Sequence, residues 1–193
     1  MKQLGMALVI LAVALTARAQ FTFVTNNGAI TITGYTGAGG DLVIPSEING
    51  YPVTAIASSA FLSCNLTGVT IPDTVTTIGG GAFELSAFLT SVTIGNGVTN
   101  IADGAFSDCF AIASVTIGNS VTSVGEAAFE NCYSLKSVAI PKGVTGIGDF
   151  AFSGSGLTNV VIPNSVTNIV QYAFYWFILS GTTSPATSLP TVS

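Results

Sequence analysis

A β-rich solenoid is the fold class this sequence predicts, built from coils of about 23 residues with short parallel strands, single helical or 3₁₀ turns and an N-terminal β-hairpin cap. Three observations predict it. The dipeptide Ala-Phe recurs at Ala60-Phe61, Ala82-Phe83, Ala105-Phe106, Ala128-Phe129, Ala151-Phe152 and Ala173-Phe174, in steps of 22, 23, 23, 23 and 22 residues. Seven residues before each alanine, a valine opens the pattern Val-Thr-x-Ile/Val, at Val53, Val75, Val98, Val121, Val144 and Val166. After each of the first five phenylalanines comes an aliphatic residue and a β-branched alternation, as in Leu89-x-x-Val92-x-Ile94. Pro72, Gly95, Gly118, Pro141 and Pro163 close these runs.

Each element follows from its residues. Val-x-Ile places two apolar side chains on one face of a short strand and the residue between them on the other. The proline or glycine after it stops the strand and turns the chain. Val-Thr-x-Ile supplies a second extended segment. Ser58, Asp103, Glu126, Asp149 and Gln171, each three residues before a Phe, are placed to cap a single turn that carries the Ala-Phe pair inward. One coil cannot bury its apolar side alone. Stacked coils set Phe over Phe and Ile over Ile, and that makes a continuous core.

The full pattern, Cys-x-x-Leu-x-x-Val-x-Ile-Pro-x-x-Val-x-x-Ile-x-x-x-Ala-Phe, resembles the BspA-like leucine-rich repeat family, over about Leu42 to Phe174. The resemblance implies a right-handed leucine-rich-repeat-type coil. It also implies an exported or surface protein, since some members of that family are adhesins that bind host matrix proteins. The motif specifies the fold and not the ligand.

The ends differ from the repeats. Lys2, the apolar run Leu4 to Leu15 and Ala17-Arg18-Ala19 read as a signal peptide over residues 1–19, because twelve apolar residues are too few for a membrane span of about 20. Residues 20–41 hold a β-hairpin around Asn26-Asn27-Gly28 and a Gly-rich loop. The solenoid occupies 42–179. Residues 180–193 form a Ser/Thr/Pro-rich tail read as disordered. Leu179 and Pro185 still keep the repeat frame, but no capping element follows. The apolar run at 175–179 would then lie beside an open core end, a surface for self-association, for another protein, or for further repeats of a longer chain.

The chemistry is sparse. Histidine is absent, so Ser-His and Cys-His nucleophiles are excluded, and no cofactor site is expected. After signal cleavage, two lysines stand against nine carboxylates, a balance that repels nucleic acid and anionic membranes. Cys64, Cys109 and Cys132 share one repeat position with Ser86, Ser155 and Phe177, an interior column. Cys109 and Cys132 are within disulfide reach on adjacent coils, although in-register stacking aims both side chains the same way. Asp103, Glu126 and Asp149 form an acidic ladder, which could cap each turn or, if it held a metal, bind Ca²⁺ between coils.

Thr54, Thr76, Thr99, Thr122, Thr145 and Thr167 form a column on the second segment, and Thr70, Thr93, Thr116, Ala139 and Val161 form one on the main strand. Threonine suits an exposed strand; ranks of it on a flat solenoid also suit ice binding. The expected function is an exported, non-enzymatic binding module, with Thr70, Thr93, Thr116, Ala139 and Val161 as the contact face for an extracellular protein or glycan. A spacer or a fragment of a longer repeat protein is the alternative.

Overall fold

The computed structural model describes residues 20–175. Residues 1–19, read above as a signal peptide, the run at 176–179 with Phe177 and Leu179, and the tail at 180–193 lie outside the described residues. Strands β1 (Phe21–Asn26) and β2 (Ala29–Tyr35) pair antiparallel, as Asn-Gly between two alternating runs demands. Asn27 and Gly28 both take positive φ, 50° and 75°, the signature of the tight turn that matches strand twist. The hairpin seals the first coil: Phe21 and Tyr35 bring their rings 6.3 and 5.5 Å from that of Phe61.

Strand β3 (Gly40–Val43) starts the main sheet. A second hairpin follows, β4 (Glu47–Ile48) and β5 (Tyr51–Ile56), turned by Asn49 and Gly50 with φ of 59° and 78°. The sequence expectation lacked it, although the turn repeats the Asn-Gly signal of the first. The chain then alternates between two sides, through β6 (Leu66–Ile71), β7 (Thr77–Ile78), β8 (Ser91–Ile94), β9 (Asn100–Ile101), β10 (Ser114–Thr116), β11 (Ser123–Val124), β12 (Ser137–Ala139), β13 (Gly146–Ile147), β14 (Asn159–Val161) and β15 (Asn168–Ile169). The result is a β-solenoid of about six turns with almost no helix.

The two sides are built differently. On the second side, two-residue strands run in one parallel ladder from β2 and β5 through β7, β9, β11 and β13 to β15. On the main side, β3, β6, β8 and β10 form one parallel sheet, and β12 with β14 form another. β12 lies beside β10 without pairing with it. The column Thr70–Thr93–Thr116–Ala139–Val161, expected as one surface, is therefore divided between two sheets after Thr116.

The Ala-Phe turns are the single turns expected. Each carries i→i−3 hydrogen bonds, such as Ala60 N to Ala57 O and Leu62 N to Ser59 O, but no helix grows from them. Left-handed residues stand two before and two after the phenylalanine, at Ser59 and Ser63 in the first coil, and they stop helical propagation. Alternate N–H groups instead donate to the next coil: Phe61 to Ala82 O, Phe83 to Ala105 O, Phe106 to Ala128 O, Phe129 to Ala151 O. Ala127 (φ 52°) holds a left-handed position that Gly81 and Gly104 fill in earlier coils. Ala127→Gly is expected to stabilise the fold by about 0.5–1 kcal/mol, removing Cβ strain at a smaller cost in chain entropy. Thermal unfolding measures it; an unchanged or lower midpoint would refute the strain.

The core is the predicted one. Phe61, Phe83, Phe106, Phe129 and Phe152 are all at most 1 % exposed, and their rings stack at 4.7–5.4 Å with planes within 11°. Ser86 Oγ donates to Phe61 O at 3.1 Å, and Cys109 Sγ to Phe83 O at 3.0 Å, so each small polar side chain reaches the carbonyl of the preceding phenylalanine. Ser155, at the same position, is buried, and its hydroxyl has no hydrogen-bond partner among the described residues.

Candidate functional site

Strand alternation decides which hydroxyls face out. On β6, β8 and β10 the registered triplet Thr70, Thr93 and Thr116 is exposed, flanked along each strand by buried Val69 or Val92 and by Ile71, Ile94 or Ile117. None of these three hydroxyls bonds to another described residue. The second threonine column behaves differently. Thr122 Oγ1 donates to Thr99 O at 3.0 Å, Thr145 to Thr122 O at 3.2 Å, Thr76 to Thr54 O at 3.2 Å and Thr167 to Thr145 O at 3.4 Å. Those carbonyls also accept the backbone N–H of the same donor residues, so that column stitches coil to coil. Two threonine ranks that look alike in sequence thus have different roles.

Beside the main-sheet triplet, three residues further along the chain in the turn after each strand, a row that the sequence reading passed over lies parallel to it: Asp73, Asn96 and Asn119. Asn96 N donates to Asp73 Oδ1 at 2.6 Å, and Asn119 N to Asn96 Oδ1 at 2.9 Å. The signal was available, since the row repeats every 23 residues. Threonine row and Asx row flank a shallow open groove of about 500 Å³, floored by Pro72, Gly95 and Gly118. A Cβ on Gly118 would sit 2.3 Å from the Gly95 carbonyl oxygen, so the coils close up tightly there. A further outward row, Ser91, Ser114 and Ser137, precedes Thr93, Thr116 and Ala139 by two residues and was also missed.

The rest of the expected face departs from this chemistry. Ala139 is exposed and Val161 is 62 % exposed, both in the separate two-stranded sheet. They continue the column in sequence position, without hydroxyls. On the opposite flank, Val43 is 72 % exposed and pairs with Thr70. The polar groove spans three coils, bounded by an aliphatic residue at either end.

Two of the three carboxylates of the acidic ladder, Asp103 and Asp149, cap backbone N–H groups. Asp103 Oδ1 accepts the N–H of Glu126 in the next coil at 2.9 Å, where capping of its own turn was expected. Asp149 Oδ1 accepts from its neighbour Phe150 and from Tyr172 in the next coil, both at 3.1 Å. Among the described residues, no three His, Cys, Asp or Glu side chains converge as metal ligands. Glu130 lies near this ladder, and partial burial, then Asp108 and Glu126, push its carboxyl above the usual range.

The three cysteine thiols are unbridged. Cys109 and Cys132 are buried and each donates to a carbonyl of the preceding coil, Phe83 O and Phe106 O. Parallel aim keeps the sulfurs apart in direction, as in-register stacking requires. Burial pushes the Cys109 thiol up to about 12 and raises Cys132 well above the ordinary value. Neither is a reactive nucleophile.

Comparison with known proteins agrees with this geometry. A family model, the BspA type leucine rich repeat region, matches residues 54–179 in six copies. A crystal structure of a leucine rich repeat protein from T. pallidum is similar at 29% identity and a TM-score of 0.72, over 78% of this chain and 79% of that one. A leucine rich cell surface protein from Faecalibacterium prausnitzii is similar at 35% identity and a TM-score of 0.60, over 81% of this chain and 50% of that one. A leucine-rich repeat protein from Eubacterium ventriosum shares the fold at 22% identity and a TM-score of 0.63, over 79% of this chain and 49% of the other. The chain thus spans about half the length of the last two. No curated protein matches it.

Proposed function

The chain belongs to the BspA type leucine-rich repeat family, and from that membership we propose an exported, non-enzymatic protein-binding or glycan-binding module, working in adhesion or cell-surface attachment through the outward main-sheet face. One observation carries the choice of face: the hydroxyls of Thr70, Thr93 and Thr116 are all exposed and unspent, whereas four of the six in the second threonine column, those of Thr76, Thr122, Thr145 and Thr167, are consumed between coils. A rigid stack presents such groups with little ordering cost on binding. The similarity to a cell surface protein of F. prausnitzii supports a location outside the cell. The absence of histidine and the two-to-nine balance of lysine to carboxylate beyond residue 19 support a role without general acid–base catalysis or nucleic acid.

A second reading, a structural spacer without its own ligand, draws on the fact that the chain spans half the length of the F. prausnitzii protein. Saturable binding to a panel of matrix proteins, cell-surface glycans and whole cells separates the two. The paired substitution Thr93→Asp with Thr116→Asp is expected to weaken binding at least tenfold while circular dichroism stays unchanged. Absence of binding across the panel would favour the spacer. Binding untouched by the pair would move the site elsewhere.

A further inference from the structure

The groove between the threonine and Asx rows has a repeat, a chemistry and a length, and each narrows the ligand. Its contact groups recur once per coil along the stack, where successive phenylalanine rings lie 4.7–5.4 Å apart. An extended peptide laid along the same direction presents same-face side chains about every 6.6 Å, from a rise of about 3.3 Å per residue, and drifts out of step within two coils. An extended chain of β-1,4-linked pyranoses advances by one ring over roughly the spacing of neighbouring strands, about 4.8 Å; alternate rings are turned over, so its same-face groups recur at every second coil and stay in step.

The chemistry agrees. Three threonine hydroxyls both donate and accept. Asn96 uses its carbonyl oxygen on Asn119 N, and its Nδ2 lies 3.5 Å from Asp73 Oδ1, too long to occupy it well. No side-chain hydrogen bond engages the Asn119 carboxamide among the described residues. Amide donors and hydroxyls are the partners that sugar hydroxyls require, since those also donate and accept. Asp73 is the one charged group lining the groove, and no cation lines it, which disfavours uronates and sulfated sugars. Length completes the picture: Val43 and Ala139 end the threonine row on its two sides, and the Asx run gives way to Ser46 on one side and Lys142 on the other.

We propose that the groove formed by Thr70, Thr93, Thr116, Asp73, Asn96 and Asn119 binds a neutral, linear, β-linked glycan lying along the solenoid axis, one sugar per coil over three coils. This rests on the reading of the main sheet as the binding face. The glycan, and not an extended protein segment, is the occupant, because its repeat stays in step with the coils where that of the extended peptide drifts.

The test uses the full chain and neutral β-1,4- and β-1,3-linked oligosaccharides of two to six sugars, with α-linked, branched and uronate-containing oligosaccharides for comparison, by calorimetry and glycan array. Affinity is expected to rise from two to three or four sugars and then level off. Thr93→Val with Thr116→Val keeps shape and strand propensity while removing the hydroxyls, and is expected to weaken binding at least tenfold with the unfolding midpoint held. Ala139→Ser is expected to change it less than twofold. Affinity independent of length, a preference for uronates, or binding insensitive to the valine pair would overturn the proposal. A matrix protein captured through the same threonines, with no oligosaccharide bound, would overturn the glycan and leave the binding face standing. Absence of binding to proteins and glycans alike would overturn both.

Discussion

Replacing Phe106 by alanine is expected to lower the unfolding free energy by about 3–5 kcal/mol. Its ring is fully buried and lies parallel to two neighbours, Phe83 at 5.1 Å and Phe129 at 5.3 Å, with interplanar angles of 4° and 5°. Truncation removes the transfer energy of the ring and both stacking contacts, and it leaves a cavity whose walls are fixed by inter-coil hydrogen bonds such as Phe106 N to Ala128 O. Because each coil of a solenoid touches only its neighbours, the damage falls on the coupling between the coils before and after it. Domains of this size retain about 5–15 kcal/mol in all, so a large share of stability is at stake. Phe88→Ala is the comparison: that ring is 63 % exposed, and its loss should change stability by no more than about 0.5 kcal/mol. Equal effects in urea unfolding would mean that the stacked ladder is not the spine of the fold.

The second large effect concerns thiol reactivity. With its thiol pushed up to about 12 by burial, Cys109 in the folded chain is expected to alkylate at pH 8 more than a thousandfold more slowly than an ordinary cysteine of pKa about 8.5. Cys132, also buried and raised well above the ordinary value, should react only through opening of the fold, and half-buried Cys64 should label first. Mass spectrometry of alkylated peptides, native against denatured, reads the order directly; Cys109 labelling as fast as Cys64 would contradict its burial. The sign of the linked pH effect follows. A folded pKa above the unfolded one leaves stability intact below about pH 9. As pH rises from there toward 12 the unfolded chain ionises first, and stability falls by up to about 1.4 kcal/mol per pH unit for each such thiol.

Repetition made the fold legible. Ala-Phe, Val-Thr-x-Ile and Val-x-Ile each recur at one period, and a property shared by six coils is hard to misread. Nearly every apolar residue of those patterns is buried, with Val115, Val166, Ile169 and Phe174 only half so. Features confined to one place were less visible. The hairpin at Asn49-Gly50 hid inside what looked like the start of a repeat. The unpaired junction between β10 and β12 has no counterpart in the pattern, since Val115 and Val138 are the same residue type in the same register.

Site legibility divides along another line. Sequence located the threonine columns but could not tell a hydroxyl that closes on the preceding coil from one that points to solvent. That distinction depends on whether a carbonyl lies within reach, and Thr122 has Thr99 O at 3.0 Å. The same limit applied to Asp103, which was assigned to its own turn although its oxygen lies 2.9 Å from Glu126 N one coil on. Side chains that serve the neighbouring coil are invisible to a reading that treats each repeat alone.

The unequal build of the two sides has a mechanical consequence. One side is a flange joined by hydrogen bonds from β2 to β15, and the other is a flange cut between β10 and β12. A beam with one flange intact and one cut bends about the intact one, and its compliance is concentrated at the cut. Curvature of the surface carrying Thr70, Thr93 and Thr116 is therefore set by a closed ladder, whereas Ala139 and Val161 ride on a segment that can tilt away from it. A load pulling the two ends apart would open that seam while the ruler of three coils kept its spacing.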